Sequence, residues 1–205
     1  MELVFIRHGQ PVRAEPGTDG IANPLLSGLG KMQAQRLVDE LSDQLFVAII
    51  CSSSARAIET LRPLLEVQPV DARITPLLQE FHQAGNSYVP IDELRREGGD
   101  EWKRIARGEL PAYVNGAAFR QRVVQVVEGL IAEYPGRKSV LVMCHAGVIN
   151  AYLGHVLDIE RGLAFPLHHA SISRVLAARD GRRIVRSVNE TQHVQDLLNA
   201  EEGEE

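Results

Sequence analysis

The sequence predicts an α/β fold, a three-layer α/β/α sandwich with a mostly parallel central sheet, an antiparallel edge and a helical insertion over the active edge. Three observations carry this. Short runs rich in β-branched residues are nearly continuous in apolar residues, as expected of strands covered on both faces. Segments with helical spacing separate or follow them, as in βαβ units. Near the end, two strand-like runs flank Asp180-Gly181, a strong hairpin pair.

The first run is "LVFI" (3–6), and residues 28–43 then place Leu29, Met32, Leu37 and Leu41 at roughly helical spacing. The second run, "FVAII" (46–50), leads into a helical pattern over 53–66 carried by Ala55, Ile58, Leu61, Leu64 and Leu65. Serines just upstream are suited to cap it. From about residue 76 to 116 the rhythm breaks, with Pro76, Pro90, Pro111, several glycines, Trp102 and mixed charge. This stretch reads as an insertion or lid with one or two helices of its own. Residues 117–134 show a 3.6-period stripe of Phe119, Val123, Val126, Val127, Leu130, Ile131 and Tyr134. The third run is "SVLVM" (139–143), and "SISRVLAA" and "RRIVRSV" form the hairpin beyond it. The whole chain, 1–205, reads as one domain without repeats, and the acidic tail from about 200 is expected to be unstructured.

Composition narrows the function classes. Of 205 residues, 44% are hydrophobic and 24% charged, an ordinary globular balance. The net charge of −5 and the lack of a basic stripe argue against nucleic acid or an anionic membrane as partner. Any bound anion must be held by a local cluster. Cys51 and Cys144 each end an apolar run and read as buried, reduced thiols rather than a disulfide framework. The start resembles no signal peptide, and no apolar run approaches the roughly 20 residues of a membrane span. The expectation is a cytoplasmic protein.

The chemistry gathers just past the strands. Ligands of doubly wound sheets bind outside the carboxyl ends of the strands. There the sequence sets Arg7-His8-Gly9 after the first run, "CSSSAR" ending at Arg56 after the second, and Cys144-His145-Ala146-Gly147 after the third. Two arginines and two histidines from three separate strands point to one site. Arg56 falls in the first turn of a helix, where the dipole favours an anion over a cation. A surface arginine paired with Glu59 is the alternative. A helix N-terminus beside guanidiniums is suited to phosphate. Amides near Ala146 and Gly147 could serve an oxyanion in the same way. A metal is not expected: guanidiniums repel one, and no H-E-x-x-H motif or aspartate cluster is present. His168-His169 could be ligands, but adjacent side chains on a strand point to opposite faces.

These residues match a known pattern. "FIRHGQ", "NPLLSGLGKMQAQRL", "CSSSARAIET", "LLQE", "VMCHAGVI" and "VNETQHV" resemble, in order, the motifs of the histidine phosphatase superfamily, the phosphoglycerate-mutase-like fold with its Arg-His-Gly signature. Ser27 stands at the threonine position of the second motif. The resemblance implies that His8 is the nucleophile that takes the phosphoryl group. It implies that Arg7, Arg56 and His145 clamp the phosphate oxygens and that Glu80 donates the proton to the leaving oxygen. Such roles are physically coherent, because phosphoryl transfer is mostly positioning and electrostatic stabilisation. His8 must present a neutral nitrogen, which adjacent Arg7 favours. Glu80 must hold a proton against two arginines, so burial or bound phosphate has to raise its pKa.

The chain also departs from the pattern. Arg-His-Gly often continues Glu-Thr-x-x-Asn, and here it continues Gln10-Pro11-Val12-Arg13-Ala14. The family's asparagine contact is lost at Ala14. Gln10, Arg13, Ser27, His82 and Ala146 are therefore the substrate contacts to test. Tyr88, Arg95, Arg96 and Trp102 are further residues of the insertion, with packing or a solvated helix face as the alternative. The leading expectation is a cofactor-independent phosphatase acting on a small phosphorylated metabolite or a phosphopeptide. The alternatives are a phosphoglycerate-type phosphomutase and a non-catalytic module that binds phosphate or phosphoprotein. The hairpin edge could pair across a homodimer.

Overall fold

The structure, a computed structural model, describes residues 1–13, 22–81, 89 and 91–202. Its six strands are β1 (Glu2–Arg7), β2 (Ala48–Ser52), β3 (Ala72–Thr75), β4 (Ser139–Cys144), β5 (Ile172–Ala177) and β6 (Arg183–Glu190). They form one sheet in the order β3-β2-β4-β1-β5-β6. β1 runs parallel to β4, and β2 parallel to both β4 and β3. β5 is antiparallel to β1, and β6 to β5, so the antiparallel margin is two strands wide. The three apolar runs therefore sit side by side in the middle, as β2, β4 and β1.

The continuous apolar runs are explained by burial on both faces. Leu3 and Phe5 of β1 join Ile50, Val140 and Val142 in a core on one side of the sheet. Val4 and Ile6 join Ile49, Cys51, Leu141 and Met143 in a core on the other. β1, β2 and β4 thus alternate between two dry faces, which leaves these runs without a polar period-2 pattern.

Helices α1 (Gly28–Leu41), α2 (Ala55–Leu65), α3 (Ile91–Glu97), α4 (Gly99–Ala106), α5 (Gly116–Glu133), α6 (Ala146–Val156) and α7 (Gln195–Glu202) complete the described chain. Leu37, Leu61 and Leu198 carry α1, α2 and α7 into the second core, and Val123, Val127 and Tyr152 carry α5 and α6 into the first. Ser27 caps α1 by accepting from the Gly30 amide, and Asn115 caps α5 by accepting from Ala118. Ser54 holds the N-cap position of α2, but its hydroxyl makes no capping bond. The Ala55 amide donates instead to Asn23 Oδ1 at 2.9 Å, and the Ala57 amide to the Ser54 carbonyl at 3.0 Å. Cys51 and Cys144 are buried free thiols, and burial pushes Cys51 up to about 12. α7 extends through Glu202, inside the acidic tail, and residues 203–205 lie outside the described part. Among the described residues no helix is long and apolar enough to cross a membrane.

Candidate active site

β1, β2 and β4 end at the same edge, with Arg7 paired to Cys144 in register. Each strand then delivers its polar residues. Arg7 is the last residue of β1 and His8 comes next; Arg56 lies in the first turn of α2; His145 is the N-cap of α6. All four side chains are buried, as is Glu80. Arg56 is thus a buried site residue and not a surface partner of Glu59, which instead accepts from the Leu26 amide.

The hydrogen bonds assign the protons. His8 Nδ1 lies 2.7 Å from the Gly9 carbonyl oxygen, which can only accept, so Nδ1 carries the hydrogen. Nε2 therefore keeps its lone pair, and Arg56 Nε donates to it at 3.1 Å. Burial and then Arg56, His145, Arg7 and His169 hold the imidazole well below its ordinary pKa. His8 is a neutral base with its free nitrogen turned toward a guanidinium. His145 meets Arg56 Nη2 through Nδ1 at 3.3 Å, so its hydrogen sits on Nε2 and is donated to Ser52 Oγ at 2.8 Å.

Thr60 joins the two arginine-bearing segments. Its hydroxyl accepts from the Gly9 amide at 2.9 Å and donates to the Arg56 carbonyl at 2.6 Å. Gly9 itself is needed for packing: a Cβ there would stand 2.6 Å from the Gly30 carbonyl oxygen of α1. The close approach permitted by this glycine is to a helix.

Glu80 reaches the edge from the loop after β3. Its carboxyl accepts from the Gly147 amide at 2.9 Å and the Phe81 amide at 3.1 Å. Burial raises its pKa above the ordinary value, and it outweighs those two bonds and the fields of Arg56 and Arg7. A Cβ on Gly147 would lie 2.2 Å from Glu80 Oε1, so only glycine admits the carboxyl here.

Of the other residues singled out, Gln10 and Ser27 are brought together. Ser27 Oγ donates to Gln10 Oε1 at 2.7 Å, and the Gln10 amide donates to Gln33 Oε1 at 2.8 Å. Ser27 thus braces Gln10 while capping α1. Ala146 opens α6 beside Gly147. Arg13 turns to the insertion, where it pairs with Glu97 of α3 at 2.8 Å, both side chains about half exposed. Trp102 is half-buried in α4, and Arg95 lies on the exposed part of α3. His82, Tyr88 and Ala14 lie outside the described residues.

Sequence reasoning missed His169. It considered His168-His169 only as metal ligands on a strand, but the pair lies in the turn before β5, and His169 enters the site. Its Nε2 is 2.7 Å from Arg7 Nη2, and its ring centroid is 5.6 Å from that of His8. The doubled histidine immediately before a strand was the available signal. Among the described residues no set of three or more His, Cys, Asp or Glu side chains is grouped to hold a metal ion. A cavity of about 470 Å³, lined in part by Leu110, Phe119, Arg120 and Ala151, lies apart from the four strand-end residues and Glu80.

Comparison with known proteins agrees with the fold. The family model described as the histidine phosphatase superfamily (branch 1) matches residues 3–190. A "probable phosphatase" of Schizosaccharomyces pombe is 29% identical over 170 residues, covering 80% of this chain and 77% of its own. The adenosylcobalamin/alpha-ribazole phosphatase of Escherichia coli is 28% identical over 164 residues, covering 78% and 80%. Among solved structures, YhfR of Bacillus stearothermophilus superposes with a TM-score of 0.77 at 20% identity, covering 95% of this chain and 99% of its own. Mycobacterial glucosyl-3-phosphoglycerate phosphatase gives 0.73 at 21% identity, covering 92% and 98%.

Proposed function

The chain belongs to the histidine phosphatase superfamily, and on that premise we propose that it is a phosphomonoester hydrolase working through a phosphohistidine on His8. The observation that carries the reading is the tautomer of His8. Nδ1–H is held by the Gly9 carbonyl, and Nε2 offers a lone pair toward Arg56. Binding alone does not call for a buried, neutral imidazole among arginines. In-line attack on phosphorus does.

The reaction is built from the roles the side chains can take. A phosphate dianion enters between Arg7, Arg56 and His145 and draws Arg56 off His8 Nε2. The lone pair of Nε2 forms a bond to phosphorus as the bond to the ester oxygen breaks. Glu80, protonated through burial, gives its proton to that oxygen, and the alcohol leaves. A water then attacks the phosphohistidine while the Glu80 carboxylate takes its proton. Inorganic phosphate and neutral His8 are restored. The arginines stabilise charge on the equatorial oxygens throughout, and no cofactor is required.

The substrate class is a small phosphorylated metabolite met in the cytoplasm. Similar chains carry such names, among them alpha-ribazole phosphatase and phosphoserine phosphatase. A panel of phosphorylated metabolites and phosphopeptides, run beside His8→Ala, tests the reading. Phosphate release that disappears in His8→Ala is expected, and release that survives it overturns the mechanism. Incubation with 3-phosphoglycerate separates the mutase: 2-phosphoglycerate without phosphate release would favour the mutase.

A further inference from the structure

We propose that His169 is a positioning residue for the phosphate clamp, holding the Arg7 guanidinium in place through a lone pair on Nε2. The inference rests on the phosphatase reading for its kinetic consequence, but not for its binding consequence.

Both terminal nitrogens of Arg7 are engaged by one short segment. Nη1 donates to the Leu167 carbonyl, and Nη2 meets His169 Nε2 at 2.7 Å. A guanidinium has donors only, so Nε2 must accept and the ring hydrogen must be on Nδ1. A protonated ring would present no acceptor and would set a second cation against Arg7. Burial, followed by Arg7, Arg56 and His168, keeps the ring neutral.

The segment that carries His169 is tied to the strand end by its backbone as well. Ala170 N donates to the His8 carbonyl at 3.2 Å, and Arg7 N donates to the Ser171 carbonyl at 3.1 Å. From the far side, the His168 amide donates to Asn189 Oδ1 at 2.8 Å, and His193 Nε2 donates to the Ala170 carbonyl at 3.0 Å. Ala170 and Asn189 both adopt left-handed backbone, with φ of 57° and 59°. Such conformations persist in non-glycine residues where the surroundings over-determine them. The "VNETQHV" stretch gains a purpose here: it fixes the turn that presents His169 to Arg7.

The test compares His169→Phe, which keeps the ring shape without an acceptor, with His169→Gln, whose amide oxygen restores one. In the full chain, three quantities are read: inorganic phosphate binding by calorimetry, kcat/KM on p-nitrophenyl phosphate, and the thermal midpoint. Phe should weaken phosphate binding and lower kcat/KM by about 30-fold, as expected for losing a hydrogen bond to a charged group, with Gln within about five-fold of the parent. The two variants should unfold at similar temperatures. Phe within five-fold of the parent, or Gln falling as far as Phe, overturns the proposal. Turnover that survives His8→Ala defeats the phosphohistidine mechanism instead, and it leaves the phosphate-binding comparison at His169 standing.

Discussion

On the reading proposed above, the site has a phosphate side and a leaving-group side, and the two are built by different means. On the phosphate side, Arg7, His8, Arg56 and His145 stand at strand ends and helix starts and are buried; Arg56 meets both histidines, and Arg7 is held by Leu167 and His169. On the leaving-group side, Glu80 arrives on a loop. Arg122 of α5 holds that loop by donating to the carbonyls of Leu77 and Gln79, both at 2.9 Å, and Phe119 packs edge-on against Phe81. Beyond it, α4 buries no residue, and α3 is joined to Arg13 by an ion pair that is half exposed. Exposed pairs contribute on the order of 0–1 kcal/mol each. On that reading, the part that would meet the phosphate common to all phosphomonoesters is locked into the core, and the part that would meet the variable alcohol rests on weak surface contacts.

The strongest way to break this comparison is on the phosphate side. Arg56→Ala removes a phosphate ligand and the donor that faces His8 Nε2 and His145. Steady-state kinetics should show kcat/KM reduced about 10³-fold, in the range found for preorganised donors in dry sites. The loss should be the same for every substrate. Glu80→Gln probes the other side and should depend on the leaving group. Alkyl phosphates should lose about 10²–10⁴-fold, the usual worth of a positioned general acid, while p-nitrophenyl phosphate, whose alcohol needs little help, should lose far less in its first step. Equal losses for both substrates would remove the acid role.

Gly147→Ala sharpens the division, because its Cβ would strike Glu80 Oε1 and the Phe81 ring without touching the arginines. We expect about ten-fold lower kcat with alkyl phosphates and near-parental inhibition by inorganic phosphate, the pattern of a displaced acid beside an intact clamp.

The two sides also have opposite pH signs. His8 and His169 have lowered pKa values, so below about pH 6.5 the unfolded chain binds protons that the folded chain refuses. Their contribution to stability is fully present above that pH and is lost as pH falls. Glu80 has a raised value, so its contribution is present below the ordinary carboxyl pKa and is lost as pH rises through its folded value. Thermal or urea unfolding between pH 5 and 6.5 should lose up to about 1.4 kcal/mol per pH unit for each such histidine, and His169→Gln should flatten that slope. The smallest effect belongs to the surface. Arg13→Ala, which breaks a half-exposed pair, should change stability by less than about 0.5 kcal/mol in urea titrations.

The same division governs what could be read from the sequence. The strand-end residues were legible because a parallel sheet brings the ends of its strands to one edge, so Arg7, Arg56 and His145 needed only the strands to be found. Glu80 was harder, since burial is a tertiary property and "LLQE" differs little from an exposed loop. His169 was missed because its role depends on a turn rather than a strand, and the bonds from Asn189 and His193 that shape the turn span some twenty residues. Ser27 and Arg13 were found as residues of interest, yet their partners, Gln10 and Glu97, are set by how loops pack and not by any periodicity.

The central claim is that the phosphoryl group passes through Nε2 of His8. Mixing the protein with a phosphomonoester, quenching in base, and mapping the phosphate by mass spectrometry tests it directly. Glu80→Gln should trap the intermediate best, because it lacks the base that activates water. The expected result is an acid-labile phosphoryl group on His8, absent from His8→Ala. Turnover with no phosphohistidine at His8, or with the label on another residue, would contradict it.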